Sequence, residues 1–329
     1  MPSYLKDKIT LVIPVRDRHY NLPSIVDYYK NTDFKKIIYD ASIKPYAGNL
    51  QGFEYHHVGP EFQTISYLKS HSLVKTPYLI NCPDDDIMTL VSLEMCVKFL
   101  EENPNYSACD GSVVEFNPDT KTVKPAPKPD VYRARVLHDW DKDDLYERLK
   151  FGIIECSRSC LHSVVRTEQS VRVLQNFIDN IEITPLSFLD RVYTFSTMCF
   201  GPVKTLYIPQ HIRMANQRPN ADRVMFDNNI ANEIIDGYGL RLDIQMVNHI
   251  DEKHCSKFAC FLKDASGTTL DAATEKTIEI FTKHFEKRAL FGGGGYFGQP
   301  IDLSSVQMPC KNADYKDIID EAVKSMSIL

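Results

Sequence analysis

The stretch Pro77-Tyr-Leu-Ile-Asn-Cys-Pro-Asp-Asp-Asp-Ile-Met88 decides how the chain is read. An apolar run, Tyr78 to Ile80, stops abruptly and delivers three adjacent carboxylates, Asp84, Asp85 and Asp86. A segment with helical spacing begins at Leu90. In an open α/β sheet, ligands bind beyond the carboxyl ends of buried strands. Carboxylates side by side repel one another there unless a cation or a hydrogen-bond donor offsets their charge. A hard divalent cation, Mg²⁺ or Mn²⁺, takes oxygen ligands and often bridges to substrate phosphates. A solvated acidic turn capping the next helix would use the same residues, and the triplet alone divides evenly between the two readings.

The segments on either side favour an α/β sheet. Ile9-Thr-Leu-Val-Ile-Pro-Val15 is a continuous, mostly β-branched run, as a strand covered on both faces requires. The polar loop Arg16-Asp-Arg-His19 follows, then helical spacing from Leu22 to Tyr29. Lys36–Tyr39 reads as a second strand and Phe53–Val58 as a third, Glu61–Lys75 as a helix, Tyr78–Cys82 as a strand, and Leu90–Glu102 as an amphipathic helix stopped by Asn103-Pro104. Strands alternating with helices predict a mostly parallel sheet with helices on both faces. Asn117–Pro129, rich in proline and lysine, reads as an exposed loop, and Asp139–Lys150, with Trp140, as a charged helix. Leu161–Val165 predicts a strand, Glu168–Phe177 and Pro185–Met198 helices, and Val203–Ile208 a strand ended by Pro209. Beyond about Asn216 the pattern is helical, over 221–235, 251–262, 272–285 and 315–326. The glycine run in Phe291–Gly298 follows no predicted strand, so it reads as a hinge, lid or linker rather than a phosphate cradle.

Composition narrows the function. Hydrophobic residues are 43% and charged residues 25%, an ordinary globular balance. A net charge of −6 argues against a nucleic-acid-binding surface and leaves a nucleotide ligand open. The segment Met-Pro-Ser-Tyr-Leu-Lys-Asp-Lys has no apolar core of a leader, and no run approaches the length of a membrane span. A cytoplasmic protein without a transmembrane segment is therefore expected, with peripheral membrane contact and homo-oligomerisation left open. The 9 cysteines are odd in number and lack paired spacing, so they read as reduced thiols in the core.

Four local patterns, in order, resemble the GT-A fold nucleotide-sugar glycosyltransferases, close to family 2. Leu11-Val-Ile-Pro-Val-Arg-Asp-Arg18 is similar to the opening strand and its Asn-Arg-type turn. Ile37-Ile-Tyr-Asp-Ala-Ser42 is similar to the second strand ending in Asp-x-Ser, and Leu73–Ile87 to the strand that carries Asp-x-Asp. Leu189-Asp-Arg-Val-Tyr193, Phe200-Gly201 and Leu206–His211 are similar to the Glu-Asp helix, glycine turn and late strand. The resemblance covers about two thirds of the chain. It implies a GT-A domain over 1–215 and a helical region over 216–329 for acceptor binding or oligomerisation.

The resemblance also implies roles. Pro14, Val15 and Arg16 would line the nucleotide, with Arg16 reaching a phosphate. Asp17 stands where the family has Asn. Asp40 would accept the imide N–H of a base such as uracil, a donor that suits a carboxylate. Asp84 and Asp85 would face the nucleotide. Asp86 would bind Mn²⁺ or Mg²⁺, with His211 as a late third ligand. Asp190 would be the general base of an inverting displacement, which must lie within hydrogen-bond reach of the acceptor hydroxyl. Leu189 stands where the family has Glu, which leaves Glu182 and Glu155 as alternative bases. Arg213 and Arg218 are further cations for the leaving diphosphate, while His56, His57 and His162 read as structural or surface residues. The partners implied are a nucleoside-diphosphate sugar, UDP foremost, and a glycan or other hydroxyl acceptor. Two rivals remain. A nucleotidyltransferase would want a glycine-rich loop where Arg16–Tyr20 stands, and a non-catalytic sugar-nucleotide-binding protein is kept open by Leu189.

Overall fold

The computed structural model describes residues 3–61, 63–117, 122–125, 142–155, 159–178, 186–214, 252–291 and 316–326. Among them one sheet is built from β1 (Ile9–Val15), β2 (Lys35–Asp40), β3 (Glu54–His57), β4 (Tyr78–Asn81), β5 (Asp86–Met88), β6 (Ala108–Asn117), β7 (Thr122–Pro125), β8 (Val164–Arg166) and β9 (Val203–Met214). Its order is β3-β2-β1-β4-β8-β6-β9-β5, with β7 paired to β6. The helices are α1 (Leu22–Tyr29), α2 (Gln63–Ser72), α3 (Leu90–Glu102), α4 (Leu145–Leu149), α5 (Thr167–Ile178), α6 (Leu186–Phe200), α7 (Glu252–Ser266), α8 (Leu270–Phe291) and α9 (Lys316–Met326).

The expected α/β sheet with helices on both faces is present. Alternation along β1 explains the layering. Ile9, Leu11, Ile13 and Val15 pack with Leu22, Ile25 and Tyr29 of α1 and Leu93, Val97 and Leu100 of α3. Val12 turns to the other face, where Val173 and Leu174 of α5 join Tyr193, Phe195 and Met198 of α6. Phe258, Phe261 and Leu262 of α7 and Ile280 and Phe281 of α8 extend that same core. Full burial of such a side chain contributes about 1.5–3 kcal/mol, so α7 and α8 are held to α6 by a continuous apolar contact.

Four expectations change. The run β3-β2-β1-β4 is parallel throughout, and β6 pairs with β9 in parallel as well. Beyond β4 the sheet is mixed, because β8 enters antiparallel between β4 and β6. The ten-residue β6, buried along nearly all its length, carries Asp110, Ser112 and Glu115 in its interior and so lacks an apolar signature. Its partner β7 lies inside the stretch read as a loop. Pro209 does not end β9, which continues to Met214. Pro209 faces Ser112 at a register shift between β6 and β9, where a missing N–H is tolerated. The predicted helix over 139–150 is realised as α4 followed by a π-helical turn, Lys150–Glu155, and 139–141 lie outside the described residues, as does 221–235. Seven described cysteines are free thiols, six of them buried. Among the described residues no helix is long and apolar enough to cross a membrane.

The family-like glycine at 201 has a steric reason. A Cβ there would stand 2.3 Å from the Asn105 carbonyl oxygen. The Gly201 and Pro202 carbonyls are fastened to Ser107 by hydrogen bonds of 2.9–3.1 Å, so the neighbouring backbone has little room to yield. Gly201→Ala is expected to destabilise the chain by about 1–3 kcal/mol, read from the midpoint of urea unfolding. An unchanged midpoint would show that the turn can relax.

Candidate active site

Parallel register brings three strand ends together, pairing Val15 with Asp40 and Val12 with Asn81. Pro14 and Val15 complete β1 and are buried within the sheet. The chain then turns at Asp17, whose φ of 51° lies in the left-handed region. Asn and Asp tolerate that region better than other non-glycine residues, which suits Asp17 to this turn. The Asp17 amide donates to Ser42 Oγ at 2.7 Å, and its carboxylate accepts from the Ile43 amide at 3.0 Å.

This turn separates the two arginines. Arg16 donates from Nη1 to the Glu61 carbonyl at 3.1 Å. Arg18 takes the acidic triplet: Nε donates to Asp84 at 3.0 Å, Nη2 also donates to Asp84, and Nη1 donates to Asp85 at 2.7 Å. Sequence reasoning singled out Arg16 and passed over Arg18. No feature of composition distinguishes them, since the left-handed turn at Asp17 decides which one faces the triplet.

Asp84 is 1% exposed. Burial raises its pKa to about 8, with Asp85 and Asp86 adding to the shift and Arg18 opposing it. Asp85 is raised by burial and by the Asp86 charge, again against Arg18. The guanidinium stays charged, because its two carboxylates outweigh its own desolvation. Arg18 thus binds two of the three carboxylates, Asp84 and Asp85.

The third carboxylate goes elsewhere. Asp86 opens β5, which pairs antiparallel with β9 and sets Met88 opposite His211. Tyr29 fixes β5 from α1, its hydroxyl donating to the Met88 carbonyl and accepting from the Met88 amide, both at 2.8 Å. Asp86 and His211, 125 residues apart, meet through Nε2 at 2.6 Å. Nδ1 of His211 is buried and has no hydrogen-bond partner among the described residues. The sequence-predicted metal pair is thus brought into direct contact, across two paired strands rather than in a loop beyond them.

Asp40 is fully buried at the end of β2. Its carboxylate accepts from the Ser42 amide at 2.9 Å, from the Tyr55 hydroxyl at 2.6 Å, and pairs with His19 Nε2 at 2.8 Å. Burial pulls its pKa up, but the bonds from Ser42 and Tyr55 outweigh it, so Asp40 ionises below the usual carboxylate range. His19 and Tyr55 were not singled out by sequence. His56 pairs with Glu54, and His57 meets the Ser42 carbonyl at 2.9 Å.

Asp190 lies on α6, and its side chain is outside the described set, as are the side chains of Leu189 and Glu155. Glu182 and Arg218 lie outside the described residues altogether, whereas Arg213 is exposed on β9.

For a divalent cation the donor chemistry fits at Asp86 and His211: one hard oxygen and one imidazole, with the Asp84 and Asp85 carboxyls adjacent in the chain. Mg²⁺ is commonly held by one or two carboxylates, with substrate phosphates completing its shell. Among the described residues no three His, Cys, Asp or Glu side chains already stand together as a complete metal cage.

No family model matches the chain, and no curated protein matches it. Solved structures do resemble it. The crystal structure of S. aureus TarS 1-349 aligns at 10% identity and a TM-score of 0.47, covering 87% of this chain and 92% of that one. The same segment in complex with UDP aligns at 11% and 0.42, covering 90% and 94%. Its complex with UDP-GlcNAc aligns at 10% and 0.42, covering 87% and 92%. At that level of superposition the likeness decides neither family nor chemistry.

Proposed function

We propose that the chain is a GT-A-type glycosyltransferase that moves a sugar from a nucleoside diphosphate, UDP foremost, to a hydroxyl acceptor in cytoplasmic glycan or polysaccharide assembly, with inversion. The observation that carries this reading is the meeting of Asp86 with His211 beside the Arg18-bound pair Asp84 and Asp85, at the carboxyl end of β4. Residues 1–215 would hold the donor and residues 216–329 would serve acceptor binding or oligomerisation.

Each residue has a physical task in it. Asp40 is an ionised, buried acceptor suited to a nucleobase N–H. His19, whose side chain is 25% exposed, is a donor on Asp40 that a base would exchange with. Pro14, Val15 and Arg16 form the floor beneath the nucleotide. Arg18 neutralises and orients Asp84 and Asp85, which leaves Asp86 and His211 to hold Mn²⁺ or Mg²⁺. When bound, such a cation supplies Lewis-acid stabilisation of the departing diphosphate. Asp190 would take the proton of the acceptor hydroxyl.

Thermal shift with UDP, GDP, CDP and dTDP, each with and without Mn²⁺, tests the reading. A ligand that binds only the native state raises its apparent stability. One nucleotide should raise the melting temperature with Mn²⁺ present, and Asp86→Ala should abolish that rise. If a folded sample responds to none of the four, the triplet returns to a turn neutralised by Arg18.

A further inference from the structure

Asp40 is saturated with donors, and one of them is free to leave. An ionised carboxylate accepts at about four lone-pair positions. The Ser42 amide donates to Oδ1 at 2.9 Å, and the Ser42 hydroxyl bonds the same carboxylate. On Oδ2 the Tyr55 hydroxyl donates at 2.6 Å, and His19 Nε2 lies at 2.8 Å. A carboxylate only accepts, so Nε2 carries the imidazole hydrogen.

The other donors are pinned. The Ser42 amide is backbone two residues beyond Asp40, and Ser42 Oγ accepts from the Asp17 amide at 2.7 Å. The Tyr55 oxygen accepts from the Tyr46 amide at 2.8 Å, which leaves its hydrogen for Asp40. His19 differs. It opens a short turn, His19–Asn21, outside the sheet, and its side chain is 25% exposed. Among the described residues its side chain has no hydrogen bond besides the one to Asp40. Its ring stands edge-on to the ring of Tyr46, with centres 5.4 Å apart.

A nucleobase N–H that takes Oδ2 therefore displaces His19, whose Nε2–H then needs a new acceptor. A bond to a charged acceptor is among the stronger kinds, so losing it without replacement weakens binding. In uracil and thymine the ring N–H stands between two carbonyls, and the replacement lies next to the N–H that took Oδ2. Guanine presents two neighbouring N–H groups and would need a second vacancy, which Ser42 and Tyr55 do not give. Cytosine and adenine turn an unprotonated ring nitrogen to the place of the imide N–H, lone pair against carboxylate.

We propose that His19 is a specificity-determining residue that yields Asp40 Oδ2 to the N–H of an imide base, uracil or thymine, and donates its own Nε2–H to the adjacent base carbonyl. The proposal rests on the nucleoside-diphosphate reading above and adds the residue that reads the base. Asp40 keeps its full set of donors through the exchange, and His19 keeps an acceptor.

Calorimetric titration of the full chain, with Mn²⁺ present, tests it. The ligands are UDP, CDP, GDP, and 2-thio- and 4-thio-UDP, in each of which one carbonyl becomes a weak acceptor. Wild type should bind UDP about 10-fold more tightly than CDP or GDP, and should lose about 5-fold on one of the thio analogues. His19→Ala should bind UDP about 10-fold more weakly and treat that analogue like UDP. His19→Gln, whose side-chain amide still donates, should recover most of the affinity. His19→Ala that binds UDP as tightly as wild type, or more tightly, would overturn the proposal, because removing a mere plug on Asp40 helps the ligand. The same thio discrimination in His19→Ala and wild type would overturn it too, as would a wild-type preference for CDP or GDP. Each of those results leaves the nucleotide site standing. Wild type that binds none of these ligands would overturn the donor reading and this proposal with it.

Discussion

Arg18→Ala should destabilise the folded chain by about 3–5 kcal/mol at pH 10, the range for removing one partner of a buried ion pair. The Arg18 side chain is 19% exposed and Asp84 only 1%, so the abandoned carboxylate has little access to water. The loss should shrink at pH 5. With its folded pKa near 8, Asp84 contributes stability that is present below the ordinary carboxylate pKa and is lost as pH rises towards 8. Without Arg18 its pKa rises further, so a proton replaces the guanidinium at pH 5, and the cost of losing Arg18 grows only as pH climbs above 8. Adding Asp84→Asn to Arg18→Ala should recover much of the stability. Urea unfolding of the two single variants and the double variant at both pH values reads the coupling. A pH-independent loss that Asp84→Asn leaves untouched would show that Arg18 acts through packing alone.

Acid should act through His71. This side chain is fully buried, with Nε2 2.7 Å from Asn81 Oδ1 and Nδ1 2.8 Å from Ser170 Oγ, which in turn lies 2.8 Å from the Tyr193 hydroxyl. Because the Asn81 amide nitrogen already donates to Leu161, its oxygen must accept from His71 Nε2. Ser170 then donates to Nδ1 and accepts from Tyr193, an arrangement only the neutral ring allows. Burial lowers the His71 pKa from 6.5 to about 4, with the Asn81 bond opposing the shift. The contribution is complete above pH 6.5 and is lost as pH falls towards 4, and it amounts to about 3 kcal/mol. Asp84 changes stability in the opposite direction over the same range, so the quantity to read is the difference from His71→Gln. Between pH 7 and pH 4 the wild type should lose about 3 kcal/mol more than that variant. Parallel profiles would mean that the network rearranges to accept the proton.

Much of the frame was legible in the sequence, for reasons that can be named. β1 and β4 are unbroken apolar runs because helices cover both faces, and Asp40 and the triplet stand out because carboxylates are rare where such runs end. β6 was hidden because its interior holds Asp110, whose carboxylate accepts from Ser163 at 2.8 Å and Thr205 at 2.7 Å. A strand that satisfies its own polar residues does not look like a strand. The end of β9 was misread because Pro209 lies at a register shift, which depends on a distant partner, Ser112. Arg18 and His19 were passed over because their contacts follow from a left-handed turn at Asp17, which leaves no pattern in local spacing.

The antiparallel entry of β8 between β4 and β6 has a kinetic consequence. The strands β1 to β4 are joined by short crossovers and can pair as the chain is made. The remainder of the sheet closes only when β8 and β9 dock beside partners synthesised much earlier. Such distant pairings carry the loop-closure entropy that slows folding. Asp86 meets His211 only at that step, so the contact between them is assembled late. Pulsed amide exchange during refolding should protect Leu11 of β1 and Ile80 of β4 together, and both before Ile87 of β5 and Ile212 of β9.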